Sequence, residues 1–255
     1  MATTRNANPK TAATGAATGK LKDAQRGMTR HPTSVPAPPA RQFLGTRFDT
    51  GVIPEHPEGA TMRKLAVIEF MSLDGVVQSP GSPDEDPDGR YAHGGWMVPY
   101  ADQVSGAAAA KGMATTTAYL FGRKTYEGMV RHWPHQPADD PFAAHLNPTP
   151  KYVASRTLTT LEWQNSSLLE GDVPEAVAEL KRQSGGTIAV LGSAQLVNTL
   201  MAHDLVDEYR IFLEPIVLGS GKRLFGGFPE PKRLRLVESV PTSTGGVILS
   251  YEPAR

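Results

Sequence analysis

The sequence predicts an α/β fold in which a largely parallel sheet is covered by helices on both faces. Three observations lead there. Runs such as Lys64–Met71 and Thr187–Leu191 are nearly continuous in large apolar residues, as expected of strands buried on both faces. Segments of helical character alternate with these runs, which implies parallel strands joined by crossovers. The last two strand-like segments follow one another with no helix between them, which predicts an antiparallel edge.

The elements follow in order. Lys64-Leu-Ala-Val-Ile-Glu-Phe-Met71 is the first strand. Residues 78–95 are rich in Pro, Asp and Gly and form a long loop. Residues 100–117 have Ala-rich spacing and read as a helix. Ala118-Tyr-Leu-Phe121 is a short strand, and a helix begins at Thr125 and closes at Pro134. Lys151–Ala154 and Thr160–Trp163 are expected strands. Pro174–Arg182 is an amphipathic helix with Pro in its first turn and basic residues in its last. Thr187–Leu191 is a strand and Ala194–Met201 the helix after it. Glu208–Leu213, Arg233–Ser239 and Gly246–Tyr251 complete the sheet.

Bulk properties exclude several classes. Acidic and basic residues balance at 26 each, so no net field draws the chain to nucleic acid or an anionic membrane. There is no cysteine, which removes disulfides, thiolate nucleophiles and cysteine-ligated metals. No apolar run approaches the ~18–20 residues of a membrane span. A cytoplasmic protein is expected. Residues 1–61 differ in texture: they are rich in Thr, Ala, Pro and Gly, with basic residues up to Arg47 and a single acid there, Asp23. Such a segment buries too little apolar surface to offset the entropy of ordering it. It is expected to be a disordered extension, or an upstream start before a beginning at Met62. The same bias would suit an organelle transit peptide or a basic arm.

Three loops carry candidate chemistry. At Tyr119–Glu127 a strand ends at Phe121, Gly122 permits close backbone approach, and Thr125 is placed to cap the next helix. Arg123 and Lys124 add cationic donors beside free helix N–H groups, as an anionic nucleotide needs. A solvated basic turn with an ordinary cap fits these residues equally. At Val190-Leu-Gly-Ser-Ala-Gln-Leu196 a buried strand again enters a turn of small residues before a helix. Alone this is a tight turn; two such junctions in one sheet could hold the two ends of a dinucleotide. In Phe70-Met-Ser-Leu-Asp-Gly-Val76, Asp74 stands at a strand mouth, where a carboxylate can orient a heterocycle or relay a proton. An Asp-Gly turn accounts for it as well.

Other motifs fail. Gly219-Ser-Gly-Lys222 lacks the Walker pattern, because Arg223 and Ile216 stand where Ser/Thr and Gly are required. His132 and His135 flank the helix breaker Pro134, with no ligand set nearby, so no metal is expected.

Taken together, Ser72-Leu-Asp-Gly75, Gly94-Gly-Trp96, Phe121–Glu127, Ser155-Arg-Thr-Leu158, Leu191–Leu196, Asp207-Glu-Tyr209 and Pro215–Phe225 resemble the dihydrofolate reductase-like family. Within it they are similar to the C-terminal reductase domain of the bifunctional riboflavin-biosynthesis protein. The resemblance covers residues 62–255 and none of the first 61. It implies a three-layer α/β/α sandwich with a mixed, mostly parallel sheet of about eight strands, binding NADPH. Carried over by position, Gly122, Arg123, Lys124 and Thr125 would meet the 2′-phosphate side and the pyrophosphate. Ser155 and Arg156 would lie near the adenosine end. Gly192, Ser193, Ala194, Gln195 and Leu196 would cradle the pyrophosphate, and Asp74 would face the substrate. Dihydrofolate reductases carry consecutive glycines where this chain has Gly192-Ser193-Ala194, whose bulkier atoms would loosen the cofactor. No acid matches their folate anchor on the first helix. That argues against folate. No His/Cys zinc motif of a deaminase domain is present. The resemblance therefore implies a stand-alone reductase acting on a ribosylamino-pyrimidine or pterin, with a homodimer expected. A nucleotide-binding module without turnover is the alternative.

Overall fold

A computed structural model describes residues 62–227 and 230–254. The expectation of a disordered extension over residues 1–61 falls outside the described residues. Eight strands form one sheet: β1 Leu65–Ser72, β2 Thr116–Gly122, β3 Lys151–Ala154, β4 Ser166–Leu168, β5 Thr187–Leu191, β6 Glu208–Glu214, β7 Leu234–Pro241 and β8 Val247–Pro253. The five helices are α1 Gln103–Met113, α2 Arg123–His132, α3 Pro141–Leu146, α4 Val173–Arg182 and α5 Ala194–Ala202. The sheet order is β4-β3-β2-β5-β1-β6-β8-β7. The six strands from β4 to β6 are parallel to their neighbours, and β8 and β7 close the far edge antiparallel.

The side-chain alternation of the strands builds two cores. On one face Leu65, Val67, Leu120, Ile188, Val190 and Ile211 pack with Val177 of α4 and Leu200 of α5. On the other, Tyr119, Phe121 and Val153 pack with Tyr126 of α2 and Leu146 of α3. The result is a three-layer sandwich. Buried polar groups tie its strand ends. Asp207 accepts from the Leu65 amide at 2.8 Å and pairs with Lys181 at 2.6 Å, joining β1 to α4. Lys151 donates to the carbonyls of Leu146, Asn147 and Thr149, which lets a buried ammonium close the α3–β3 turn.

Four local expectations change. The helix expected over 100–117 stops at Met113, because Thr115 and Thr116 turn their hydroxyls onto the Gly112 carbonyl and the β-branched Thr run continues as β2. The helix expected from Thr125 starts at Arg123, so Gly122 is the N-cap and Thr125 lies inside the first turn. Thr160–Trp163 is not a strand. Its apolar residue Trp163 is anchored in the core, with its amide on the Tyr126 hydroxyl and its indole on Asn147 Oδ1, and the ladder resumes only at β4. The short helix α3 was not expected, though Asp140 caps it and Pro141 opens it.

Candidate active site

The sheet topology makes a crevice at the carboxyl ends of β2 and β5. These strands are neighbours, paired through Leu120 and Val190. From β2 the chain passes through α2 outward to β3; from β5 it passes through α5 the other way, beyond β1, to β6. Ligands of open α/β sheets lie at such a divergence. A second opening adjoins it. Pairing between β1 and β5 ends at Ile68 and Leu191, while β1 continues to Ser72 against β6 alone.

The two junctions touch. Ser193 Oγ accepts the Gly122 amide at 2.8 Å and lies 2.6 Å from Thr125 Oγ1. A Cβ on Gly122 would fall 2.7 Å from Ser193 Oγ, so glycine is required there for the two turns to meet. Gly192 and Ser193 both have positive φ, 62° and 67°. For Ser193 this is the left-handed region that L residues seldom adopt, and it aims its hydroxyl across the junction.

The helix starts differ in a telling way. Asp102, Asp140 and Asp172 cap α1, α3 and α4 through their side chains. No side chain caps α2 or α5, the two helices that begin at the crevice. Their first-turn N–H groups are the donors an anion would use.

Gly122, Arg123, Lys124, Thr125, Ser155, Arg156, Gly192, Ser193, Ala194, Gln195 and Leu196 line one cleft of about 1510 Å³. That exceeds the ~300–1,000 Å³ of an ordinary small-molecule pocket, leaving room for a dinucleotide and a second molecule. The cations along it are placed unequally. Arg123 donates to both Glu127 oxygens at 2.9 and 3.0 Å. Lys124 pairs with Asp88. Arg156, exposed at the rim beyond β3, makes no ion pair among the described residues. The loop after β1 forms a wall strapped by polar contacts: Gln78 donates to the Asp86 and Asp88 carbonyls, and Lys222 reaches Asp86 at 2.5 Å and Asp88 at 2.9 Å. Trp96 is buried and donates to the Gln78 carbonyl, so it packs beneath this wall.

Asp74 is placed elsewhere. Its carboxylate accepts the Leu218 amide at 3.0 Å, the Gly219 amide at 2.9 Å and the Ser72 hydroxyl at 2.8 Å. These bonds, led by that from Leu218, lower its pKa from 3.8 to about 2. It does not line the cleft. Asp74, expected to face the substrate, is engaged in holding the turn at 218–219.

A different acid lines the cleft, and it was not singled out from the sequence. Glu69 is the first β1 residue beyond the last pair with β5. It is 4% exposed, and its Oε1 has no hydrogen-bond partner. Burial, reinforced by the charge of Glu85, raises its pKa well above the ordinary value. The signal was present as a lone acid in an otherwise apolar run.

Comparison with known proteins decides the family. Residues 63–248 match the RibD C-terminal domain model. The chain belongs to the RibD C-terminal domain family. It is 31% identical over 137 residues to the uncharacterized protein YyaP of Bacillus subtilis, covering 52% of this chain and 71% of YyaP. Among solved structures, a Shewanella sp. PV-4 protein assigned to riboflavin biosynthesis superimposes with TM-score 0.55 at 20% identity, over 75% of this chain and 99% of that one. The diaminohydroxyphosphoribosylaminopyrimidine deaminase/5-amino-6-(5-phosphoribosylamino)uracil reductase of Thermotoga maritima does so with TM-score 0.52 at 12% identity, over 76% of this chain and 57% of that one. The sandwich of this RibD C-terminal domain is the dihydrofolate reductase-like fold that the motifs implied.

Proposed function

We propose that the protein is an NADPH-dependent reductase that delivers hydride to a small polar heterocycle, a ribosylamino-pyrimidine such as 5-amino-6-(5-phosphoribosylamino)uracil or a pterin. The observation that carries this reading is the pair of uncapped helix starts, α2 and α5, held against each other at the sheet's divergence while the other three α-helices among the described residues carry an aspartate cap. A pyrophosphate fits there, because small residues leave the backbone open and the helix dipoles favour negative charge. Gly122, Thr125 and Gly192 to Leu196 would hold it. Arg123, Lys124, Ser155 and Arg156 would meet the adenosine end and its 2′-phosphate, with Arg156 as the cation that needs no partner displaced.

Bound NADPH would supply the hydride. The chain's own residues orient the two reactants and exclude water between them. Asp74 serves by holding the 218–219 turn beside the β1 mouth. A homodimer belongs to the same reading; Leu236 and Val237, exposed on the terminal strand β7, give an apolar edge for it. A cytoplasmic setting does as well.

A module without turnover is the second reading, kept by one feature that weakens the cofactor's seat. The Ser193 hydroxyl already satisfies the Gly122 amide, as a phosphate oxygen would. Calorimetric titration of the full chain with NADPH and NADH separates the cases when paired with absorbance at the dihydronicotinamide band. The expected result is binding that prefers NADPH, weakens in Arg156→Ala, and is consumed on adding the aminopyrimidine. Binding without consumption favours the module. Binding of neither cofactor removes the reading.

A further inference from the structure

We propose that Glu69 is the proton donor of this site: a carboxylic acid kept neutral at the cleft floor, which protonates the substrate atom next to the carbon that takes hydride. The inference rests on the reductase reading above. Its ground is geometric. Glu69 stands where β1 parts from β5, its residue is 4% exposed, and Oε1 faces no donor among the described residues. A buried carboxylate without a donor is costly, whereas a buried carboxylic acid is tolerated and has a proton to give.

The charged groups around the cleft leave that acid neutral. Glu85, from the loop after β1, opposes its ionisation. Arg210 of β6, which lines the same cleft, is engaged by Glu208 at 2.6 Å. Lys222 is engaged by Asp86 and Asp88. No cation is within ion-pair distance of Glu69 among the described residues. Burial is the first cause of its raised pKa and the field of Glu85 the second.

The step balances simply. Reduction of a C=N bond, whether the aldimine of a ring-opened ribosylamine or the ring C=N of a dihydropterin, needs one hydride and one proton. As hydride reaches the carbon, the π pair moves to nitrogen, the Glu69 O–H bond breaks, and an N–H bond forms. Bound NADPH would supply that hydride, and with it both electrons that reduce the C=N bond. The resulting carboxylate regains its proton from water, since an ionised Glu69 is disfavoured there.

Two measurements on the full chain test this. Thermal melts of wild type and Glu69→Gln read the protonation state without any ligand. A group whose folded pKa is raised favours the fold below its unfolded pKa and loses that contribution as pH rises toward the folded value. The Tm of Glu69→Gln should therefore gain on wild type as pH increases from about 5 to 8. A gap that does not change with pH would show Glu69 already ionised and overturn the proposal. NADPH oxidation with 5-amino-6-(5-phosphoribosylamino)uracil or the pterin 7,8-dihydrobiopterin then reads the role. Glu69→Gln should lower kcat by about 10²-fold or more with the NADPH Kd unchanged, and Glu69→Asp should recover part of it. The wild-type rate should also fall at high pH as the acid ionises, a limb absent in the Gln variant. Equal kcat and an unchanged pH profile in Glu69→Gln would overturn the proton-donor role while leaving the reductase reading intact. Wild type that turns over neither substrate sinks the reductase reading and this role with it, whatever the melts show.

Discussion

Two carboxylates on or just after one strand show how surroundings divide chemically equal residues. Asp74 sits among backbone N–H groups and a hydroxyl, so its charged form is favoured. Glu69, five residues earlier, has burial and a neighbouring acid, so its neutral form is favoured. The sign for Asp74 is the reverse of that for Glu69. Its lowered pKa contributes stability that is present above its ordinary 3.8 and is lost as pH falls through about 2. Asp74→Asn should therefore be less stable than wild type near neutrality, and the difference should shrink between about pH 5 and pH 2. Urea midpoints across that range measure it; a difference that persists undiminished in acid would mean the carboxylate's charge is immaterial to the 218–219 turn.

At the scale of elements, the site depends on two strand–helix junctions that share one set of atoms. Gly122 is the contact point, with the Ser193 Oγ and Cβ placed where a methyl group would lie. Gly122→Ala forces the β2–α2 and β5–α5 turns apart. We expect a loss of ~1–3 kcal/mol in unfolding free energy, the usual cost of overpacking, and weaker NADPH binding in the same variant. A variant that melts like wild type and binds NADPH equally would show that the junctions need not touch. The loop after β1 is the other element at stake. Lys222 is its strap to the 219–224 turn, so Lys222→Met should speed amide hydrogen exchange between residues 79 and 90 and leave β5 unaffected.

For the whole molecule, the proposal is a single reductase domain from residue 62 onward, preceded by a segment that the fold does not require. Among the described residues the strands and helices from Leu65 to Pro253 build both cores. Removing residues 1–61 should leave Tm and NADPH affinity unchanged. A fall of several degrees, the response to about 1 kcal/mol in a domain of this size, would mean that the segment packs on the domain.

The sequence by itself determined the class of fold and the location of the candidate cleft. Strands such as Thr187–Leu191 and Leu65–Ser72 were legible because burial on two faces demands continuous apolar runs, a local property of composition. The junctions at Gly122 and Gly192 were legible because a strand that turns straight into a helix needs small residues there. Helix ends were less so. The stop of α1 at Met113 depends on a Thr run that could extend a helix or begin a strand, and only the neighbouring β5 chooses the strand. The sequence places Trp163 in a strand, because an apolar side chain seeks burial whether or not its backbone joins a ladder. The surroundings of the two acids are set by tertiary structure alone. The amides that hold Asp74 are 144 and 145 residues away in sequence. The raised pKa of Glu69 comes from its burial where β1 parts from β5 and from the field of Glu85. A carboxyl group's charge depends on the dielectric and donors around it, and folding brings those from distant parts of the chain.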